Sequence, residues 1–357
     1  MGLSKKISVS LVTLTIATSS FVIISFHKTP SNINILSNSI KEVLNNKKNE
    51  NGKIEEKYYV DSNISDKLSN EIKNISKTTF EQYQGYIDDE IFVINIVSTS
   101  QNFEESFFNS NPDILREYNK TLENYVKQGL KYGMNGGYLY NNAVTFPVYK
   151  KGKVDYIVQL YRFPTVGDDG MGEVTTASHQ SFHAIQYMLN PNLSEMHLPM
   201  WVMEGPAVLV GYVLYGRTEE NVLAVIKDYH SPAENVKTKK YESISSIDGV
   251  GLSYERSMAA GSYLIGRYGM NKYIEFIKHS GSEDWRISFK KIFGVSVDTF
   301  YENVDGFVNW EMKFLGDAKG RQSGPILVGG NKDSKSLKTE PSKDDASLEN
   351  DSPFPSR

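Results

Sequence analysis

The chain has 357 residues, 39% of them hydrophobic and 23% charged, with a formal net charge of -4, six histidines and no cysteine. That length holds one large domain or two ordinary ones, with enough apolar content to bury a core. Near-neutral charge argues against nucleic-acid binding, which normally shows as a basic patch and a high pI. The absence of cysteine excludes disulfides, thiolate metal sites, iron–sulfur clusters, a cysteine nucleophile and a bacterial lipoprotein anchor. Any metal site must therefore be built from His and carboxylate.

At the N-terminus, Lys5 and Lys6 precede an uncharged run from Ile7 to Phe26 that is long enough to cross a bilayer once. Ser and Thr dilute it, and no small-residue cleavage pattern precedes His27. Residues 1–26 therefore read as a single-pass membrane anchor, with a cleaved signal peptide as the alternative. Either places the remainder in the cell envelope or outside the cell. Residues 27–57 are rich in Asn, Lys, Ser and Glu and read as a polar linker, and residues 317–357 read as a disordered tail. This leaves 58–316 as the expected folded body, with no internal repeat.

The body opens on a helix, because Ile64, Leu68, Ile72, Ile75 and Phe80 recur at helical spacing. Ile91 to Val97 is short and β-branched, which predicts a strand. Leu115, Tyr118, Leu122, Tyr125, Val126 and Leu130 predict a second helix. Gly136-Gly137 opens a region of alternating aromatic and small residues from Tyr138 to Tyr149, and Val154 to Phe163 reads as another strand. Beyond Thr175 the pattern is helical almost to Leu315. The expected fold is α+β, with a mixed, sheet-containing front half and a mostly helical back.

His179 and His183 stand four residues apart, which puts both imidazoles on one side of a helix, about one turn apart. That spacing lets one helix offer two nitrogens to one ion, although such pairs also occur as surface or core residues. Glu204 follows in Trp201-Val202-Met203-Glu204-Gly205, where a second helix starting near Trp201 would turn its carboxylate toward the first. Two His and one Glu leave one zinc position open, as in catalytic rather than structural sites. The competing reading of Glu204 is a carboxylate near a helix N-terminus after Pro199.

His-x-x-x-His followed about twenty residues later by Trp-x-x-Glu-Gly resembles the gluzincin zinc peptidases, the thermolysin-like or peptidase MA group. Further segments are similar to the same group: Tyr254-Glu255-Arg256-Ser257 with Tyr263 and Tyr268, and Phe293-Gly294-Val295-Ser296 with Phe300, Tyr301 and Trp310. The match covers roughly residues 90–316. It implies a zincin-like fold with the metal helix between the two halves, and zinc held by His179, His183 and Glu204. It also implies a carbonyl-stabilising hydroxyl at Tyr254. The chain departs from the family at Gln180, where active members carry the Glu that takes a proton from the zinc-bound water. Gln has the same shape and hydrogen-bonds water, but it accepts no proton. General acid–base help is worth about 10²–10⁴ in rate, so a site with Gln180 is expected to bind metal and peptide and turn over very slowly or not at all.

Glu173 could approach the site as a substitute base, or be a solvated charge near a helix N-terminus. Glu195 and His197 read as loop residues, Trp201 as core, and Gly205 as a point of close helix packing. Gly136-Gly137 reads either as an exposed strand edge that a peptide could extend or as a plain turn. Asp168-Asp169 matches no full calcium loop. The expectation is an exported, membrane-tethered, metallopeptidase-like protein that binds a peptide or protein segment and no nucleic acid. An active zinc peptidase with its base elsewhere, and a metal-free interaction protein of the envelope, are the alternatives.

Overall fold

A computed structural model of the chain describes residues 35–45, 53–127, 134–135, 138–139, 143–151, 153–163, 171–195, 198–215, 250–281 and 283–317. Within these residues the architecture is α+β. A four-stranded sheet carries helices on both faces, and a group of helices follows it in the chain.

The sheet contains β1 (Lys53–Val60), β2 (Glu90–Ser98), β5 (Ala143–Lys150) and β6 (Lys153–Arg162) in the order β1-β2-β6-β5. β1 runs parallel to β2 and β2 parallel to β6, while β5 and β6 form an antiparallel hairpin that places β5 at an edge. The parallel pairs need long crossovers. The first is α2 (Asp66–Tyr83), the helix that follows α1 (Ile35–Asn45) in the chain, and Ser65 caps it by accepting from the Leu68 N–H. The second contains α3 (Gln101–Ser110) and α4 (Pro112–Lys127). A two-residue pair, β3 (Met134–Asn135) and β4 (Tyr138–Leu139), precedes the hairpin.

Strand alternation sorts the sheet into two faces. Ile96, Val144, Phe146, Val158 and Leu160 point toward α3 and α4 and pack with Phe107, Phe108, Ile114 and Tyr118. The opposite face carries Glu56, Asn95, Thr145 and Gln159, and it meets α2 and the helix α5 (Met171–Leu189) through side-chain hydrogen bonds. The larger core lies on this side. It joins α5, α6 (Met200–Leu214), α7 (Val250–Tyr268), α8 (Met270–His279), α9 (Trp285–Phe293) and α10 (Val297–Asp317).

One boundary differs from the sequence reading. Part of the expected linker is helix α1 (Ile35–Asn45), whose Ile35, Leu36, Ile40 and Val43 are buried in the main core. β1 also starts inside the expected linker. Gln82 Nε2 donates to the carbonyls of Val43 and Leu44, satisfying the C-terminal end of α1. Glu42 accepts from the Met270 N–H at the start of α8. Averaging composition over residues 27–57 hid an eleven-residue amphipathic stretch. The remaining expectations for 1–34 and 318–357, including the anchor and the tail, lie outside the described residues. Among the described residues, no helix is long and apolar enough to cross a membrane.

Candidate metal centre

α5 is tied to α2 by short hydroxyl side chains, Ser178 to Thr79 at 2.9 Å and Ser181 to Ser76 at 2.8 Å. Small residues on this face let the two helices approach closely, and the face bearing His179 and His183 is left to meet α6. α6 is anchored one turn before Glu204 by Trp201. Its ring is fully buried among Phe289, Phe300 and Tyr301, and its Nε1 donates to the Tyr301 hydroxyl at 3.1 Å. Trp201 is thus core, as its sequence context implies.

Two glycines set how closely α6 approaches its neighbours. A Cβ on Gly205 would lie 2.0 Å from the Ser257 carbonyl oxygen of α7, a separation no side chain tolerates. A Cβ on Gly211 would lie 3.0 Å from the Thr175 carbonyl oxygen and 3.2 Å from the Cβ of His179 on α5. α6 is therefore wedged between α5 and α7, with Glu204 facing the histidines.

The result is a three-atom convergence. His179 Nε2 and His183 Nε2 are 2.9 Å apart, and Glu204 Oε2 is 3.1 Å from the first and 3.2 Å from the second. The donor atoms around a tetrahedral zinc with bonds of about 2.0–2.2 Å stand about 3.3–3.6 Å apart, so the set lies a few tenths of an ångström inside the spacing that such an ion imposes. Among the described residues it is the group of His and acidic side chains able to hold a metal.

Proton placement supports the same arrangement. His183 Nδ1 lies 2.6 Å from Gln186 Oε1, which can only accept, so Nδ1 carries the hydrogen. In the neutral ring, His183 Nε2 then points a lone pair at the Glu204 carboxylate. Two acceptors facing each other require a cation between them, either a metal ion or a proton. Burial opposes charge on His183, but the Glu204 carboxylate and the hydrogen bonds with Glu204 and Gln186 outweigh it, and its pKa is raised. Burial and the neighbouring His183 lower that of His179, against the pull of Glu204. Glu204 itself is held well below the usual carboxylate range. The attraction of His183 and hydrogen bonds from both imidazoles overcome the cost of burial.

Gln186 does more than orient one ring. It is fully buried, and its Nε2 donates to the Met203 carbonyl at 2.9 Å and to the Tyr273 hydroxyl at 2.6 Å. Tyr273 in turn donates to the Val202 carbonyl at 3.1 Å. One side chain thus fixes His183 and holds the backbone immediately before Glu204. The sequence reading missed it, although Gln186 stands three residues after His183 and so shares its side of the helix.

Gln180 is buried and turned toward the edge strand. Its Oε1 accepts from the Thr145 hydroxyl at 2.6 Å, and its Nε2 reaches the Ala143 carbonyl at 3.5 Å. Among the described residues, no hydrogen bond joins it to the His–Glu triad. Nothing in the local sequence marks Thr145 as its partner.

The other candidates are placed less fully. Tyr254 lies in α7 and Glu173 in the first turn of α5, but their side chains lie outside the described residues. So does that of Glu195, which stands in a 3₁₀ turn. His197, Gly136-Gly137 and Asp168-Asp169 also lie outside them. No protein-family model matches the chain, and no curated protein or solved structure matches it either.

Proposed function

We propose that the protein is a gluzincin-like, zinc-binding metallopeptidase homologue in which Gln180 occupies the general-base position, so that it binds a peptide or protein segment and hydrolyses it very slowly or not at all. The observation that carries this reading is the convergence of His179 Nε2, His183 Nε2 and Glu204 Oε2 within 3.2 Å of one another. Two imidazoles and a carboxylate form the donor set of catalytic zinc sites that keep one position open.

When bound there, zinc supplies a Lewis acid for a carbonyl oxygen and lowers the pKa of a coordinated water. The chain's own residues define the rest. His179 and His183 provide neutral nitrogens, Glu204 offsets the ion's charge, and Gln186 holds His183 with Nε2 directed into the site. Gln180 cannot receive a proton, and its carboxamide is already engaged by Thr145 and Ala143. Loss of a general base lowers the rate by about 10²–10⁴. A peptide ligand is supported by β5, an edge strand among the described residues, since a strand edge can pair with an extended chain. The uncharged run from Ile7 to Phe26 supports export with a membrane tether.

A second reading is favoured by one observation. A proton on His183 could close the triad in place of a metal, since Glu204 raises the His183 pKa. The protein would then be a metal-free interaction protein of the cell envelope. Metal analysis of the protein purified without chelators separates the two, because absence of stoichiometric zinc refutes the first. Activity separates the variants of the first reading. Peptide hydrolysis that appears only in Gln180→Glu supports an impaired homologue, whereas fast, chelator-sensitive hydrolysis by the unsubstituted protein overturns it.

A further inference from the structure

Beneath α5 the sheet presents polar side chains where an apolar layer is expected. Cross-strand register places Asn95 of β2 opposite Gln159 of β6, and Gln159 opposite Thr145 of β5. Asn95 and Gln159 are fully buried. At one end of this row, Glu56 Oε1 of β1 accepts from the Tyr58 hydroxyl at 2.6 Å, from Ser76 of α2 at 2.8 Å and from Asn95 Nδ2 at 3.3 Å. At the other end the Thr145 hydroxyl donates to Gln180 Oε1 at 2.6 Å.

Between these ends the row is broken. Asn95 Oδ1 and both the Nε2 and Oε1 of Gln159 have no hydrogen-bond partner among the described residues. Buried carboxamides are nearly always paired with protein or ordered water. Adjacent strands lie about 4.8 Å apart, so facing side chains on neighbouring strands come within reach of a single bridging molecule. A donor placed between Gln159 and Thr145 would also fill the Thr145 oxygen's accepting side, while its hydrogen goes to Gln180.

We propose that ordered internal water, bound at Asn95, Gln159 and Thr145, completes a buried hydrogen-bonded row from the Glu56 carboxyl to Gln180, the residue next to His179. The row rests on strand register and orphaned buried atoms, and it holds whether or not a metal binds the triad. Asn and Gln transmit no proton. What the row transmits is donor and acceptor orientation, because chains of hydrogen bonds polarise one another. Ionisation of Glu56 is thereby felt at Gln180. Among the described residues, the charged and titratable groups facing Glu56 are Tyr58 on its own strand, Lys77 on α2 and Tyr161 on β6.

Side-chain amide NMR of the full chain tests this directly. The Gln159 Nε2 protons are expected to show contacts to slowly exchanging water. Their absence overturns the proposal, even if substituted chains fail to fold. Gln159→Met keeps the volume and removes the polar atoms. An orphaned carboxamide would make this variant more stable, whereas a hydrated one makes it less so, with the melting midpoint expected to fall by about 2–4 °C. The ¹³C titration midpoint of the Glu56 carboxyl is expected to move in Gln159→Met and in Thr145→Val. Bound water with an unchanged Glu56 midpoint in both variants refutes the continuous row.

Discussion

Replacing Gln186 with Met is expected to damage the candidate metal centre through two separate losses. The carboxamide accepts from His183 Nδ1 at 2.6 Å and donates to the Met203 carbonyl at 2.9 Å and the Tyr273 hydroxyl at 2.6 Å. Met fills a similar volume and makes none of these bonds. His183 Nδ1–H is then stranded in a buried setting, while the Met203 carbonyl keeps its place in the helical ladder of α6. A stranded group costs about 1–3 kcal/mol, so the variant should lose about 1–3 kcal/mol of folding stability. That is a large share of the ~5–15 kcal/mol typical of a domain. The imidazole, freed to rotate, should also bind zinc about 10–100-fold more weakly, the usual cost of removing a partner that orients a ligand. Denaturant unfolding of the metal-free protein measures the first loss, and chelator competition at pH 7 measures the second. If the unsubstituted chain binds zinc and Gln186→Met binds it equally tightly, the argument that Gln186 orients His183 is refuted, whatever happens to stability.

Other expectations follow from the same geometry. Glu204→Ala should abolish stoichiometric zinc while leaving the helical circular dichroism intact, and zinc retained at full occupancy would remove Glu204 from the ligand set. Gly211→Ala places a methyl against the Thr175 carbonyl and the Cβ of His179. Overpacking of this kind costs about 1–3 kcal/mol, and zinc affinity should fall with it in a competition titration. Gly205→Ala should be worse, because a Cβ 2.0 Å from the Ser257 carbonyl oxygen forces α6 and α7 apart, and soluble yield together with the melting midpoint reports this. Burial raises the Glu56 pKa despite its hydrogen bonds from Tyr58, Ser76 and Asn95. Its contribution to stability is therefore full below its unfolded value near 4.5 and is lost as pH rises through the folded pKa. Glu56→Gln should flatten that part of the stability–pH curve in denaturant titrations from pH 4 upward, and an unchanged curve would contradict the sign.

The helices α2 and α4 and the strand β2 were legible in the sequence because each carries its own periodicity over many residues. α1 was not, since its apolar positions sit in a polar stretch and acquire meaning only against α7. There the Gly266 position leaves room for the Ile35 carbonyl, which a Cβ would meet at 2.0 Å. α3, with aromatic residues on a short, otherwise polar segment, gave a comparably weak signal. Sheet order was invisible for a general reason. Which strands pair is settled by contacts far apart in the chain, such as the parallel pairing of β2 with β6 across α3, α4 and β5.

By itself the sequence determined two things about the site. It placed His179 and His183 one turn apart on a common helix face, because helical geometry is a property of neighbouring residues. It also put an amide rather than a carboxyl at position 180, a matter of composition that no fold can change. Only the tertiary structure decided that Glu204 meets the two imidazoles, because that depends on how closely α6 approaches α5 and α7 at Gly211 and Gly205. It likewise decided that Gln180 is held by Thr145 of the edge strand and that Gln186 spans the two helices that carry the His–Glu triad. Each of these contacts joins residues that are distant in the chain, and close packing between elements brings them together.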